Sequence, residues 1–232
     1  MILAGGLATR LYPITEKIPK SMIPVNGAPF IYWQMKLLQE AGFDKFILCV
    51  AHKSQEIKNY LKDGSKFGVE IIYSEDGEKL LGTGGAILNA SRFVDEKFAV
   101  VYGDSYLPID FKLAENYFLG SNKPAMMTIF KNNNTFDLSN VLYLNHSIIE
   151  YKKKLDDNNY KHIDYGLSFF SKAVFKKYPT KTNFDLAEVC ENLAENAELA
   201  GYEVFKRFYE IGSPQGIQDL ETYLRENSNG IH

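Results

Sequence analysis

Four short apolar runs, alternating with helix-like stretches through the first half of the chain, limit its possible folds more than any other feature. They are MILA at the start, KFILCVA at 45–51, VEIIYSE at 69–75 and FAVVYGD at 98–104. A run that is apolar on both faces suits a strand buried on both sides, as in a parallel sheet. Between the runs, Phe30, Trp33, Leu37 and Leu38 recur at helical spacing and Gly42 closes that helix. SQEIKNYLKD reads as an amphipathic helix with Ser54 as its N-cap, and TGGAILNA opens a shorter one. Strand–helix alternation of this kind implies an α/β fold, a Rossmann-like, mainly parallel sheet flanked by helices.

Ligands of such sheets gather beyond the carboxyl ends of the strands. Three segments fall there: LAGGLATR after the first strand, SEDGEKLLGTGGA after the third and GDS after the fourth. Beyond about Asn122 the pattern changes. PAMMTIF, NVLYLN, SIIEYKK and HIDYGLSFF read as short strands joined by polar turns, a small antiparallel annex. Helices follow at DLAEVCENLAEN and PQGIQDLETYL, on either side of the strand-like AGYEVFKRFYEIG.

With 232 residues, 45% apolar and 14% aromatic, the chain can bury one large core, so we expect a single domain over 1–232. A net charge of −3 excludes global attraction to nucleic acid or to an anionic membrane. Any anion must therefore be held locally. Cys49 and Cys190 lack metal-ligand spacing and, as free thiols, suit a reducing compartment. No signal peptide is legible and no apolar run approaches the ~18 residues of a membrane span, so a cytoplasmic protein is expected. His52, His146, His162 and His232 share no spacing and form no zinc pattern or catalytic triad order.

LAGGLATR is neither standard phosphate fingerprint: no Lys-Ser/Thr follows its glycines, and Leu7 follows Gly6 directly. LGTGGAI fails too, because Ile87 replaces the third glycine. Gly5 and Gly6 alone would indicate only a tight turn. Arg10 and Lys20 close by change that reading, because freed backbone N–H groups can approach a polyphosphate while the two cations neutralise its oxygens.

The stretch LAGGLATRLYPITEKIPKSMIPVNGAPFI resembles the signature of the sugar-1-phosphate nucleotidyltransferases, or nucleoside-diphosphate-sugar pyrophosphorylases. YLKDGSKFGVEIIYSEDGEKLLGTGGAI and VVYGD extend the resemblance in order and spacing through Asp104, and it is traceable to about Leu224. It is nearest to the short single-domain members that act on heptose 1-phosphate or N-acetylmuramate 1-phosphate. The resemblance implies a Mg²⁺-dependent reaction in which an NTP and a sugar 1-phosphate give an NDP-sugar and pyrophosphate. Guanylyl transfer from GTP to a heptose 1-phosphate, for surface polysaccharide synthesis, is favoured. Uridylyl transfer to N-acetylmuramate or another sugar 1-phosphate comes next, then a non-catalytic nucleotide-sugar-binding relative. The sequence leaves oligomeric state open, a homo-oligomer included.

By the same resemblance, residues 1–121 form the nucleotide-binding half and 122–232 the sugar-phosphate-binding half. Leu3, Ala4, Gly5 and Gly6 would meet the nucleotide through backbone, and Gly84 and Gly85 would let a base edge approach. Arg10 would neutralise the leaving pyrophosphate and Lys20 would bridge the reacting phosphates. Asp104 would bind Mg²⁺, with Glu210 as second ligand where the family's motif usually has Asp. Lys154 would hold the sugar phosphate, with Lys152 and Lys153 as alternatives, and Asp164 and Gly166 would meet sugar hydroxyls. Glu75 ends a strand above the base pocket, as a contact or as a capping acid.

Overall fold

A computed structural model describes residues 1–6, 18–51, 53–153, 157, 159–178 and 182–228. Arg10, His52, Lys154 and His232 lie outside the described residues. In chain order the first elements are β1 (Ile2–Leu3), β2 (Pro24–Val25), β3 (Ala28–Pro29), α1 (Phe30–Glu40) and β4 (Lys45–Val50). Next come α2 (Ser54–Leu61), β5 (Glu70–Glu75), α3 (Gly82–Ala90), β6 (Lys97–Tyr102) and β7 (Ser105–Tyr106). They are followed by α4 (Phe111–Gly120), β8 (Ala125–Lys131), β9 (Val141–Leu144), β10 (Ser147–Tyr151) and β11 (His162–Ser171). The last are α5 (Lys172–Phe175), α6 (Leu186–Glu195), β12 (Leu199–Val204), β13 (Tyr209–Glu210) and α7 (Pro214–Ser228).

The chain divides into two compact units. The first comprises the described residues within 2–75, 102–108 and 208–228. The second comprises Met1, Asp76–Val101 and Ile109–Arg207. In the first unit β1, β4 and β5 pair in parallel, with Ile2 opposite Leu48 and Val50 opposite Glu75. Every residue of β4 after Lys45 is buried, as its unbroken apolar run requires. A cluster of Ile23, Val25, Phe30, Tyr106, Ile211, Leu220 and Leu224 then draws three distant pieces of chain together. Fully burying each such side chain is worth about 1.5–3 kcal/mol. The members Ile23, Tyr106 and Ile211 lie within three residues of Lys20, Asp104 and Glu210.

In the second unit the ten-residue β11 pairs antiparallel with β6 on one side and β8 on the other. β12 joins β8 in parallel, and β10 runs antiparallel to both β12 and β9. Antiparallel pairing, expected over the second half, thus also takes in β6 from the first. α3 packs on α6 in this unit. The register of β11 against β8 shifts between Asp164 and Ser168, and Gly166 within that bulge has φ +104°. A side chain is strained at such an angle, so glycine is what permits the bulge.

Two local readings are corrected. Ser54 does not cap α2; it is the first helical residue, and the cap position is Lys53 in a left-handed conformation at φ +61°. α4 is not anticipated from the sequence, although Asp110 caps it by accepting the Leu113 N–H at 3.0 Å and Phe111, Ala114 and Phe118 form its buried face. Among the described residues, no helix is long and apolar enough to cross a membrane.

Candidate active site

Lys20 opens a short 3-10 turn after Pro19, and its side chain is only 13% exposed. Its Nζ lies 2.5 Å from Oδ2 of Asp104, whose side chain is 34% exposed. Asp104 sits in the turn after β6, and that turn is held from several directions. Gly103 donates its N–H to the Leu3 carbonyl at 3.0 Å, and the Ile211 N–H donates to the Asp104 carbonyl at 3.0 Å. Gln34, on α1 and 2% exposed, donates from one amide nitrogen to the Tyr102 and Ser105 carbonyls, each at 2.7 Å. Its Oε1 and the Ser21 hydroxyl are buried without a hydrogen-bond partner among the described residues.

Gln34 was not recognised in the sequence. The signal was a polar residue four positions after Phe30 and four before Leu38, on the inward face of an apolar helix.

Glu210 reaches the same place by backbone pairing, because β13 runs antiparallel to β7 with Glu210 opposite Ser105. A Cβ added at Gly212 would meet the Lys20 Nζ at 3.3 Å and Glu210 Oε1 at 3.4 Å, so both groups border that glycine. The first unit therefore gathers Lys20, Asp104 and Glu210. Two carboxylates beside an ammonium make a hard-oxygen donor set suited to Mg²⁺, which keeps several waters and needs only one or two carboxylates. No cluster of three or more His, Cys, Asp or Glu able to hold a metal occurs among the described residues. An ion here would rest on Asp104 and Glu210 together with water and substrate oxygens, and the residues present fit it.

The glycine turn after β1 is partly engaged by the protein itself. Leu3 and Ala4 are buried, and the Ala4 N–H donates to the Cys49 carbonyl at 2.8 Å. Gly5 backs onto Ala51, whereas no atom of the described residues lies within 4 Å of a Cβ placed on Gly6. At the end of β5, Glu75 accepts from Lys58 Nζ at 2.6 Å and from the Ser54 hydroxyl at 3.4 Å. The Lys58 hydrogen bond chiefly holds its carboxyl below the usual range.

In the second unit Gly84 and Gly85 face protein. Both are buried in α3, and their N–H groups donate to the Phe184 carbonyl at 3.0 and 3.3 Å. A Cβ on Gly84 would lie 2.5 Å from the Phe184 ring, and one on Gly85 would lie 2.8 Å from the Thr182 carbonyl. These glycines admit residues 182–185 against the helix, a contact no sequence pattern announces. Gly84→Ala is accordingly expected to cost about 1–3 kcal/mol of stability through overpacking. Denaturant unfolding measures it. Unchanged stability with weakened NTP binding would support the expected part of Gly84 in base recognition.

Asp164 accepts the Gly166 N–H at 2.9 Å across the β11 bulge and donates its own N–H to Asn140 Oδ1 at 2.9 Å. Of the lysine run, Lys152 Nζ lies 3.4 Å from Glu150 Oε1, and Lys153 pairs with Asp185. Asp185 caps α6 in a capping box with Glu188, and Thr83 donates its hydroxyl to Asp185 Oδ1 at 3.0 Å. Burial opposes ionisation of Asp185, but the Lys153, Ala187 and Thr83 hydrogen bonds outweigh it and hold its carboxyl below the ordinary value. Cys190 is wholly buried and its thiol is pushed well up, first by burial and then by Asp164, Asp185 and Glu191, so it is no nucleophile. His162 lies 3.1 Å from Glu203.

Comparison with known proteins adds to this geometry. The profile of a family described as nucleotidyl transferase matches residues 1–227. The D-glycero-alpha-D-manno-heptose 1-phosphate guanylyltransferase of Campylobacter jejuni is 30% identical over 217 residues, 93% of this chain and 95% of that protein. The UTP–glucose-1-phosphate uridylyltransferase of Synechocystis sp. is 32% identical over 204 residues, 80% of this chain. That match takes in 52% of the Synechocystis protein, so this chain spans about half the length of some relatives it matches. Among solved structures, HddC from Yersinia pseudotuberculosis, complexed with GMP-PN, superposes with a TM-score of 0.78 at 24% identity. The superposition covers 96% of this chain and 97% of that one, and at this identity it speaks to fold alone.

Proposed function

This chain belongs to the nucleotidyl transferase family, and from that premise we propose that it transfers a nucleotidyl group from an NTP to a sugar 1-phosphate, releasing pyrophosphate. The observation that carries the reading is the meeting of Lys20, Asp104 and Glu210 at one point in the first unit. The sugar phosphate oxygen attacks the α-phosphorus in line, and the bond to pyrophosphate breaks. No covalent enzyme intermediate is required, so positioning and charge neutralisation supply the catalysis.

In this reading Gly5 and Gly6 let backbone approach the triphosphate, Lys20 bridges the reacting phosphates and Arg10 neutralises the leaving pyrophosphate. Asp104 and Glu210 hold Mg²⁺, which when bound offsets charge on the phosphate oxygens. The lysine run meets the sugar phosphate, through Lys154 first with Lys152 and Lys153 beside it, while Asp164 and the Gly166 bulge meet sugar hydroxyls. The favoured pair is GTP with a heptose 1-phosphate, supported by the near full-length match to the Campylobacter guanylyltransferase.

A grid of four NTPs against a panel of sugar 1-phosphates, following pyrophosphate release, tests this. Turnover is expected to be fastest with GTP and a heptose 1-phosphate. Fastest turnover with UTP and N-acetylmuramate 1-phosphate would keep the reaction and change the substrates. The presence of Glu210 where the family motif usually has Asp favours a second reading, a nucleotide-sugar sensor. Tight NDP-sugar binding with no pyrophosphate from any pair would establish that one.

A further inference from the structure

We propose that Asp185 is a positioning residue that holds Lys153 in the absence of substrate, and that the phosphate of the sugar 1-phosphate displaces it. The inference rests on the nucleotidyl-transfer reading and deepens it. Lys153 lies two residues past the end of β10, and its ammonium is paired with Asp185 Oδ2.

Oδ1 alone accepts from the Ala187 N–H at 3.0 Å and from the Thr83 hydroxyl at 3.0 Å. A serine or asparagine oxygen would cap α6 equally well. What aspartate adds is a charge, and the charge goes to Lys153. Their side chains are 55% and 35% exposed, and pairs this open to water are weak. A phosphate dianion brings twice the charge of the carboxylate and three acceptor oxygens, so it can take the ammonium over.

The pair also lies beside the groups proposed to hold sugar. Asn140 joins them, since its carbonyl accepts the N–H of Lys152, the neighbour of Lys153, at 3.0 Å and its Oδ1 accepts the Asp164 N–H at 2.9 Å. On the other side, Thr83 accepts the Leu186 N–H at 2.8 Å, tying the start of α3 to the same aspartate. One carboxylate therefore touches Lys153, the capped helix and the glycine helix, all within the second unit. It sets how much phosphate affinity Lys153 offers, so that ligands without a dianion leave the pair closed.

Asp185→Asn separates these duties, since the amide oxygen keeps the cap while the amide nitrogen cannot accept from Lys153. The expected result is a KM for sugar 1-phosphate about three- to fivefold lower, the range an exposed pair can supply. KM for NTP and the melting temperature stay unchanged. Asp185→Ser, another cap without charge, acts alike. Lys153→Met raises the sugar 1-phosphate KM, and adding Asp185→Asn to it has no further effect. An unchanged or raised KM in Asp185→Asn, or the same shift in the Lys153→Met background, overturns the displacement while wild-type turnover leaves the reaction standing. A wild-type protein that releases no pyrophosphate with any pair overturns both.

Discussion

Asp104→Asn is expected to lower kcat for pyrophosphate release by about 10³ or more, since losing an ion that offsets several kcal/mol of developing charge costs tenfold per 1.36 kcal/mol. Asparagine matches the shape of aspartate, and the Gln34 and Ile211 contacts hold the backbone of residues 102–105 rather than the carboxylate, so the fold is retained. Only the charge facing Lys20 and any bound Mg²⁺ is removed. Exhaustive EDTA treatment of the wild type should have the same effect, with activity restored by added Mg²⁺. Turnover of Asp104→Asn within tenfold of wild type, or full activity after EDTA, would take the metal out of the reaction.

Lys20→Met should lower kcat/KM for NTP by about 10²–10³, the range for one preorganised charge lost from a site shielded from water. The lysine is largely buried against Asp104, so its ammonium is already oriented before substrate binds. NDP-sugar affinity should fall as well, because the phosphates it bridges persist in the product. Lys20→Arg should recover only part of the rate, since a planar guanidinium cannot occupy the place of a compact ammonium. Steady-state kinetics and calorimetric binding measure these effects. Normal turnover in Lys20→Met would reduce the lysine to a counter-ion for Asp104.

Much of the fold is legible locally because strands and helices announce themselves through neighbouring residues. The unbroken apolar run of β4 predicts burial on both faces, and the Phe30–Leu38 spacing predicts α1. The errors are also local. Ser54 looked like a cap because serine is a good one, but the backbone turns one residue earlier at Lys53. α4 escapes a reading by pattern although Asp110 marks its start, because it directly precedes the change of period after about Asn122. Lys20, Asp104 and Glu210 were each picked out by motif, and a shared Mg²⁺ was expected to join the two carboxylates, but nothing local indicated that Lys20 would lie on Asp104.

The sequence by itself determined the residue types at the ends of the strands, the periodicity of the main helices and the match to a nucleotidyl transferase family. Tertiary structure alone decided that Lys20 lies on Asp104 across 84 residues, through a core in which Ile23, Tyr106 and Ile211 exclude water together. It also turned Gly84 and Gly85 toward Phe184, and it brought Asp185 to Lys153 from a separate helix. The physical reason is range. Propensity, capping and period act over one or two turns, whereas apolar burial rewards any contact that removes surface from water, however distant in the chain.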